Sequence, residues 1–360
     1  MVTWLLLAAF LQTAPMRAVP IPPQEPQDRQ GAVSEEAFVE RVVVDAHVTA
    51  PNGTPIPNLT AADFVVKVDH VAVPLESVEW IPADTAEVQP PAEAAAQNEG
   101  GEAVPGGGWP SEVAPGRLIV MFFQTDYEPS RLIGLIRMAA QARQFLYKML
   151  PSDRVAVASF DSHLRLRQDF TADHGKIERA INASLMRKDD PEPDPDSHPA
   201  LGRHLDLGAA RKASTPERAL ALLADALTPI PGGKSMLYFG WGLGTVGGLS
   251  GPNPSEHRAW NDAMRGMAAA RVSIFTLDVT NADFHSLEVY LEDISNLTGG
   301  RYEKTHIFPG LAMQRVERAI SGRYVLVFVK PRSFHGAHQI DVDVLGHRGA
   351  YVSARQYYTD

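Results

Sequence analysis

Several groups of residues have the types and spacing that chemistry needs, and each meets an obstacle in its neighbours. Gly232-Gly233-Lys234-Ser235 has the ending of a phosphate-binding loop. The first glycine of that pattern would fall on Thr228, and Pro229 and Pro231 lie inside it. The segment also precedes a strand, whereas a phosphate loop follows one, so it reads as a turn. Asp190, Glu192, Asp194 and Asp196 suggest calcium, but they alternate with prolines. Proline favours a three-residue turn that puts alternate carboxylates on different faces, and the glycine of a calcium loop is missing. His335 and His338, with His347 nearby, are spaced like half a zinc site that lacks its other half. Asp126 and Glu128 would make an acid–base pair, yet nothing else in the chain supports a catalytic cleft. There is no Gly-x-Ser-x-Gly elbow for a serine hydrolase. These readings together predict a protein that is not an enzyme.

Composition narrows the classes further. The chain has 360 residues, a net charge of -10 and 44% hydrophobic residues. That is ample for a buried core and for more than one domain. The acidic balance excludes a basic stripe for nucleic acid and argues against docking on an anionic membrane. With no cysteine there is no disulfide, no thiolate metal site and no N-terminal lipid attachment. Trp4–Leu11 is an apolar run too short to span a bilayer; small residues and then Pro20, Pro22 and Pro23 follow. This layout predicts a secretory signal over residues 1–18, and hence a secreted or periplasmic protein that is soluble and has no membrane span.

The elements that must position any site follow from periodicity. Residues 19–36 read as a flexible leader, and residues 37–85 as a small β module. Its strands lie around Phe38–Val48, Val65–Val68 and Val71–Trp80, with Asn52-Gly53 as a turn. Residues 86–115 carry almost no large apolar side chain and read as a linker. From residue 116 to 333 strands alternate with helical segments, which predicts an α/β fold: a doubly wound, mostly parallel sheet with helices on both faces. Leu118–Phe123, Val155–Phe160, Ser235–Phe239, Val272–Leu277 and Tyr324–Val329 are its expected buried strands, and Phe284–Asn296 an expected helix. Residues 334–360 alternate polar and apolar, read as a β-hairpin, and are expected to pack on the N-terminal module.

The chain resembles the von Willebrand factor A-related proteins common in Acidobacteria over roughly residues 36–358. The resemblance rests on Asn58-Leu59-Thr60-Ala61-Ala62-Asp63-Phe64, the strand ending Phe122-Phe123, Asp153-Arg154-Val155-Ala156-Val157, Ile274–Asp278, Leu297-Thr298-Gly299-Gly300 and Arg323–Leu326. It implies export, binding rather than catalysis, and a metal-ion-dependent adhesion site at the C-terminal edge of the sheet. The chain departs from that site. Gln124 and Gly240 stand where the family usually places aspartates, and Thr215 lies only in the region of its threonine. Asp126, Glu128 and Ser130 would be the metal ligands of a modified site. The resemblance therefore implies a degenerate site with no cofactor, or at most weak Mg²⁺.

The expected function is an exported adhesion-like module that binds an unidentified protein ligand through its apical loops. Gln124, Tyr127, Gly240, Trp241 and Asp278 are the candidate ligand-binding residues. The alternative is a structural scaffold in an envelope or surface assembly, with a hydrolase a distant third. The two diverge on whether Tyr127 and Trp241 are exposed, since exposed aromatics mark interaction hot spots. The sequence names no partner and sets no oligomeric state.

Overall fold

The computed structural model describes residues 40–84, 116–186, 199–246, 252–253, 257–332 and 335–359. The expected signal segment, leader, linker and the acidic proline loop with Asp190 lie outside these residues. The described residues all fall within one compact unit, Val39–Asp360. The chain enters through β1 (Arg41–Thr49), β2 (Phe64–Val68), β3 (Val71–Val73) and β4 (Leu75–Pro82). Pro74 falls between β3 and β4, so the single strand expected over Val71–Trp80 is two strands that join different sheets.

The middle of the chain builds β5 (Leu118–Gln124), α1 (Pro129–Leu146), β6 (Arg154–Phe160), β7 (Leu164–Thr171) and α2 (His174–Met186). It continues with the short α3 (Leu207–Ala210), then α4 (Pro216–Leu227), β8 (Lys234–Gly240), β9 (Thr245–Val246) and β10 (Pro252–Asn253). Next come α5 (His257–Ala269), β11 (Val272–Asp278), α6 (Glu288–Thr298), β12 (Tyr302–Lys304) and α7 (Pro309–Ala319). The main sheet runs β12-β11-β8-β5-β6-β7, with all neighbours parallel except the β6–β7 edge pair. Counted from its own first strand this is the doubly wound order 3-2-1-4-5-6.

The unbroken apolar run of β5 is explained by helices on both faces. Val120 and Phe122 face a core with Leu220 and Leu223 of α4 and Met267 of α5. Ile119, Met121 and Phe123 face the other core, with Leu135 of α1, Ile177 of α2 and Val316 of α7.

The chain ends with β13 (Gly322–Val329), β14 (Ala337–Val344), β15 (Tyr351–Ala354) and β16 (Tyr357–Thr359). These join the N-terminal strands in two four-stranded sheets, β15-β1-β13-β4 and β16-β14-β2-β3. Two expectations are corrected. Tyr324–Val329 is not the last strand of the parallel sheet; it pairs antiparallel with β1 and β4. A continuous apolar run requires only that both faces be covered, and does not say by what. Nor do β14 and β15 form a simple hairpin, because β14 pairs with β2 while β15 crosses to β1.

One face of β1, with Val42, Val44, Ala46 and Val48, packs inside the sandwich against Phe64, Val66, Tyr324 and Leu326. Here the Asn58–Phe64 segment shows its physical purpose. Thr60 and Asp63 cap each other, with Thr60 N–H donating to Asp63 at 2.7 Å. The Tyr324 hydroxyl accepts from Leu59 N–H at 3.0 Å and donates to the Ile56 carbonyl at 2.7 Å.

The other face of β1 sits on the N-terminal ends of the parallel strands, here called the bottom. Asp45 accepts from Arg271 at 2.8 and 2.9 Å and from Arg323 at 2.9 Å. Burial opposes the Asp45 charge, but the two guanidiniums overcome it and hold the carboxyl far below the usual range. His47 donates from Nδ1 to the Ala319 carbonyl at 3.1 Å and meets the Phe275 ring edge-on. Gly299 closes α6 with φ of 80°, and a Cβ there would lie 2.7 Å from Arg355 N. Only glycine fits that left-handed, crowded position. The sandwich thus seals the bottom and leaves the opposite, C-terminal edge open.

Candidate functional site

The open edge, or top, is where open α/β sheets bind ligands. Its first loop follows β5. Gln124 is buried at 2% exposure. Its Nε2 donates to the Gly242 carbonyl at 2.7 Å, and its Oε1 accepts from Trp241 N–H at 3.0 Å and Gly242 N–H at 3.3 Å. The amide therefore spends both ends on the backbone that leaves β8. Gly240 complements it: a Cβ there would lie 2.6 Å from Gln124 Oε1 and 2.2 Å from the Tyr238 ring. An aspartate at position 240 is incompatible with Gln124 in this place. Gln124 and Gly240 are therefore coupled: the amide of one fills the space that the missing side chain of the other leaves.

The next residues are also committed. Asp126 accepts from Glu128 N–H at 3.0 Å and pairs with Arg131 at 2.5 Å. Partial burial opposes its charge, but the Glu128 N–H and Arg131 hold its pKa below the ordinary value. Glu128 caps α1 by accepting from Arg131 N–H, and Ser130 donates to the same carboxylate, which lowers the Glu128 pKa. Arg131 lies over the Trp241 ring at 3.8 Å. Trp241 is half-buried against the core rather than presented to solvent. Tyr127, in contrast, is 45% exposed. Thr215 caps α4 through Arg218 N–H at 3.3 Å, and the buried Glu217 accepts from Gly244 N–H at 2.7 Å. The loop after β8 is thus held by two side chains from different elements.

Asp278 ends β11 on the other side of the top. It is buried, accepts from Thr280 N–H at 2.9 Å and from Tyr302 at 3.0 Å, and meets His285 Nε2 at 2.8 Å. Glu288, at the start of α6, pairs with Lys304 at 3.0 Å. Burial first, and then the two carboxylates, push the Tyr302 hydroxyl far above its usual pKa. Among the described residues, Asp278, His285 and Glu288 form the one set of side chains whose ligand atoms converge as a metal site would require, within 4.8 Å. Mixed nitrogen and oxygen donors suit a transition metal better than Mg²⁺. Lys304 and Tyr302 already supply the positive charge and the proton that this set needs.

The sequence reading singled out Asp278 but missed His285, Glu288, Tyr302 and Lys304. The His285-x-x-Glu288 spacing was the available signal. It was hidden because α6 begins at Glu288, not at Phe284, so His285 lies in the preceding loop. Phe284 in that loop is 70% exposed, and Ile307 and Phe308 after β12 are 61% and 64% exposed. Asp283 ties these two loops together: its carbonyl accepts from Lys304 at 2.6 Å and its carboxylate meets His306 at 2.8 Å.

Elsewhere the other chemical candidates resolve into structure. Lys234 donates to the Gly232 and Ala270 carbonyls at 2.8 Å each, as a turn into β8. His338 is buried and meets Asp69 at 2.8 Å. No helix among the described residues is long and apolar enough to cross a membrane.

No family model matches the sequence, and no curated protein matches it. Solved structures do. A von Willebrand factor type A protein from Catenulispora acidiphila is similar at a TM-score of 0.37 and 10% identity, over 90% of this chain and 75% of that one. The conserved hypothetical protein BatB from Bacteroides thetaiotaomicron is similar at 0.36 and 15% identity, over 57% of this chain and 98% of that one. The PilB minor pilin from Streptococcus sanguinis is similar at 0.35 and 11% identity, over 57% of this chain; the match spans 60% of the pilin's length.

Proposed function

We propose that this chain is a non-catalytic binding module that meets a protein partner with the top of its doubly wound sheet and uses no metal ion to do so. The observation that carries this reading is the trio Phe284, Ile307 and Phe308, each more than 60% exposed, on two loops held together by Asp283. Leaving three large apolar side chains in water is unfavourable, and clustered exposure of this kind marks interaction surfaces. Loops on a rigid scaffold are the usual place for them. Tyr127 is the sequence-selected residue that adds an exposed aromatic to the same edge.

The hydrogen bonds support metal independence. Mg²⁺ needs oxygens free to coordinate, yet Gln124 Oε1 already accepts two N–H groups, and Asp126 and Glu128 serve Arg131 and the start of α1. A cation at Asp278 and Glu288 would have to displace Lys304. The same commitments remove Asp126 and Glu128 as an acid–base pair. We also infer export, from the apolar run and small residues at positions 4–18. The division into a module from residues 37–85 and 334–360 and an α/β domain over 116–333 is best redrawn with β13 in the module.

The scaffold alternative draws support from Trp241, which is covered by Arg131. Crosslinked capture from an envelope extract separates the two. The binding reading expects a partner retained in the presence of chelator and lost with the Phe284→Ser/Phe308→Ser variant. Capture that needs Mg²⁺, or that the variant leaves intact, contradicts it.

A further inference from the structure

The sandwich carries an opening of its own, far in the chain from the top loops. β14 and β16 run as an antiparallel ladder from Ala337↔Thr359 to Gln339↔Tyr357, extended by Ile340 N–H donating to the Gln356 carbonyl at 2.7 Å. Continued, that ladder would set Val342 opposite Ala354 and Val344 opposite Val352. It does not continue. From Ala354 back to Tyr351 the chain pairs with β1 instead, in the other sheet. The two strands part, and a cavity of about 320 Å³ opens between them, lined by Lys67, Asp341, Val342, Asp343, Val352 and Ala354 among others.

Three properties of this slot define what would fill it. The first is a free strand edge. Ile340 N–H points to the slot side, while Leu345 N–H points to the β2 side and donates to the Asp63 carbonyl at 2.7 Å. Backbone groups alternate along a strand, so Val342 and Val344 aim their N–H and C=O groups into the slot. Among the described residues no ladder takes them. The second is an incompletely covered core: Val342, Val344, Val352 and Ala354 belong to the sandwich interior yet stay only half-buried. The third is charge. Asp341 and Asp343 lie on the outer face of β14, where Asp341 has Lys67 as its cross-strand partner and Asp343 has only Val65.

We propose that this slot is a strand-addition site, filled by an extended peptide of another protein that pairs with the edge of β14 at Val342 and Val344. Its side chains alternate between small apolar residues, which cover Val352 and Ala354, and basic residues, one of them opposite Asp343. Main-chain bonds supply affinity in this mode and alternate side chains supply selectivity. A second copy of this chain fits badly. Edge-to-edge pairing of two β14 strands brings Asp341 and Asp343 against their own counterparts, and like charges directly opposite destabilise a sheet. The site does not depend on the top-edge reading, and either stands if the other fails.

The test uses the full chain and two capped peptides, one alternating valine with lysine and one alternating valine with glutamate. Amide hydrogen exchange and titration are read together. The proposal expects saturable binding of the lysine peptide, slower exchange at Val342 and Val344, and at least tenfold weaker binding of the glutamate peptide. Asp343→Lys should reverse that preference. Val342→Pro, which removes an N–H on the slot side and leaves the β2 ladder intact, should abolish binding. Equal binding of both peptides, protection elsewhere than on β14, or a dimer that Val342→Pro dissociates would each overturn it.

Discussion

The two ends of the parallel sheet are both braced by side chains from distant parts of the chain, but with opposite chemistry. At the bottom, Asp45 holds two arginines in a buried ionic joint, with His47 beside it. At the top, the amide of Gln124 clamps the backbone after β8 with neutral hydrogen bonds, and the charges that remain are neutralised locally by Arg131 and Lys304. The bottom joins the sandwich to the α/β sheet and must hold, whereas the top is rigid but carries little unbalanced charge. Its exposed side chains include the large apolar Phe284, Ile307 and Phe308. A charged, open top would favour a cation; a clamped, neutral one favours a partner that covers Phe284, Ile307 and Phe308.

The bottom joint gives the largest expected effect. Asp45→Ala removes the carboxylate that holds the buried Arg271 and the part-buried Arg323, and breaking a buried pair in that way costs about 3–5 kcal/mol. Urea denaturation should show that loss; a change under about 1 kcal/mol would mean the joint is not holding the two bodies together.

A smaller effect should follow pH. Burial, and then the Arg323 charge, lower the His47 pKa from 6.5 to about 4. Between those values the unfolded chain binds the proton and the folded chain does not. Stability is therefore complete above about pH 6.5 and declines as pH falls toward 4, by up to about 3 kcal/mol. Denaturation midpoints at several pH values should trace this slope, and His47→Gln should flatten it. A wild-type profile level between pH 7 and 4.5 would show that His47 is protonated without cost.

Much of this architecture is legible in the sequence, for definite reasons. β5, β6, β8 and β11 announce themselves because burial on both faces demands unbroken apolar runs. β13 has the same signature but a different environment, since a sandwich and a bed of side chains cover a strand as completely as helices do. The site is legible only indirectly: Gln124 and Gly240 stand out against the pattern that the sequence resemblance implies. What they do instead depends on contacts across more than a hundred residues, from Gln124 to Trp241 and Gly242. No local spacing encodes such contacts. The Asp278 cluster was missed for a related reason, as Tyr302 and Lys304 reach it from a neighbouring strand.

The central proposal is that the top edge binds without a metal, and calorimetric titration of the full chain with Mg²⁺ and Mn²⁺ addresses it directly. Gln124 and Gly240 offer a divalent cation no carboxylate, and each charge that is absent forgoes about 4 kcal/mol of attraction at 4 Å and an effective dielectric of ~20, before hydration is discounted. The account predicts no saturable heat up to about 1 mM, a concentration that corresponds to only about 4 kcal/mol of binding. A tighter dissociation constant that Asp126→Ala abolishes would contradict it, and would show that the metal site has moved two residues along the loop.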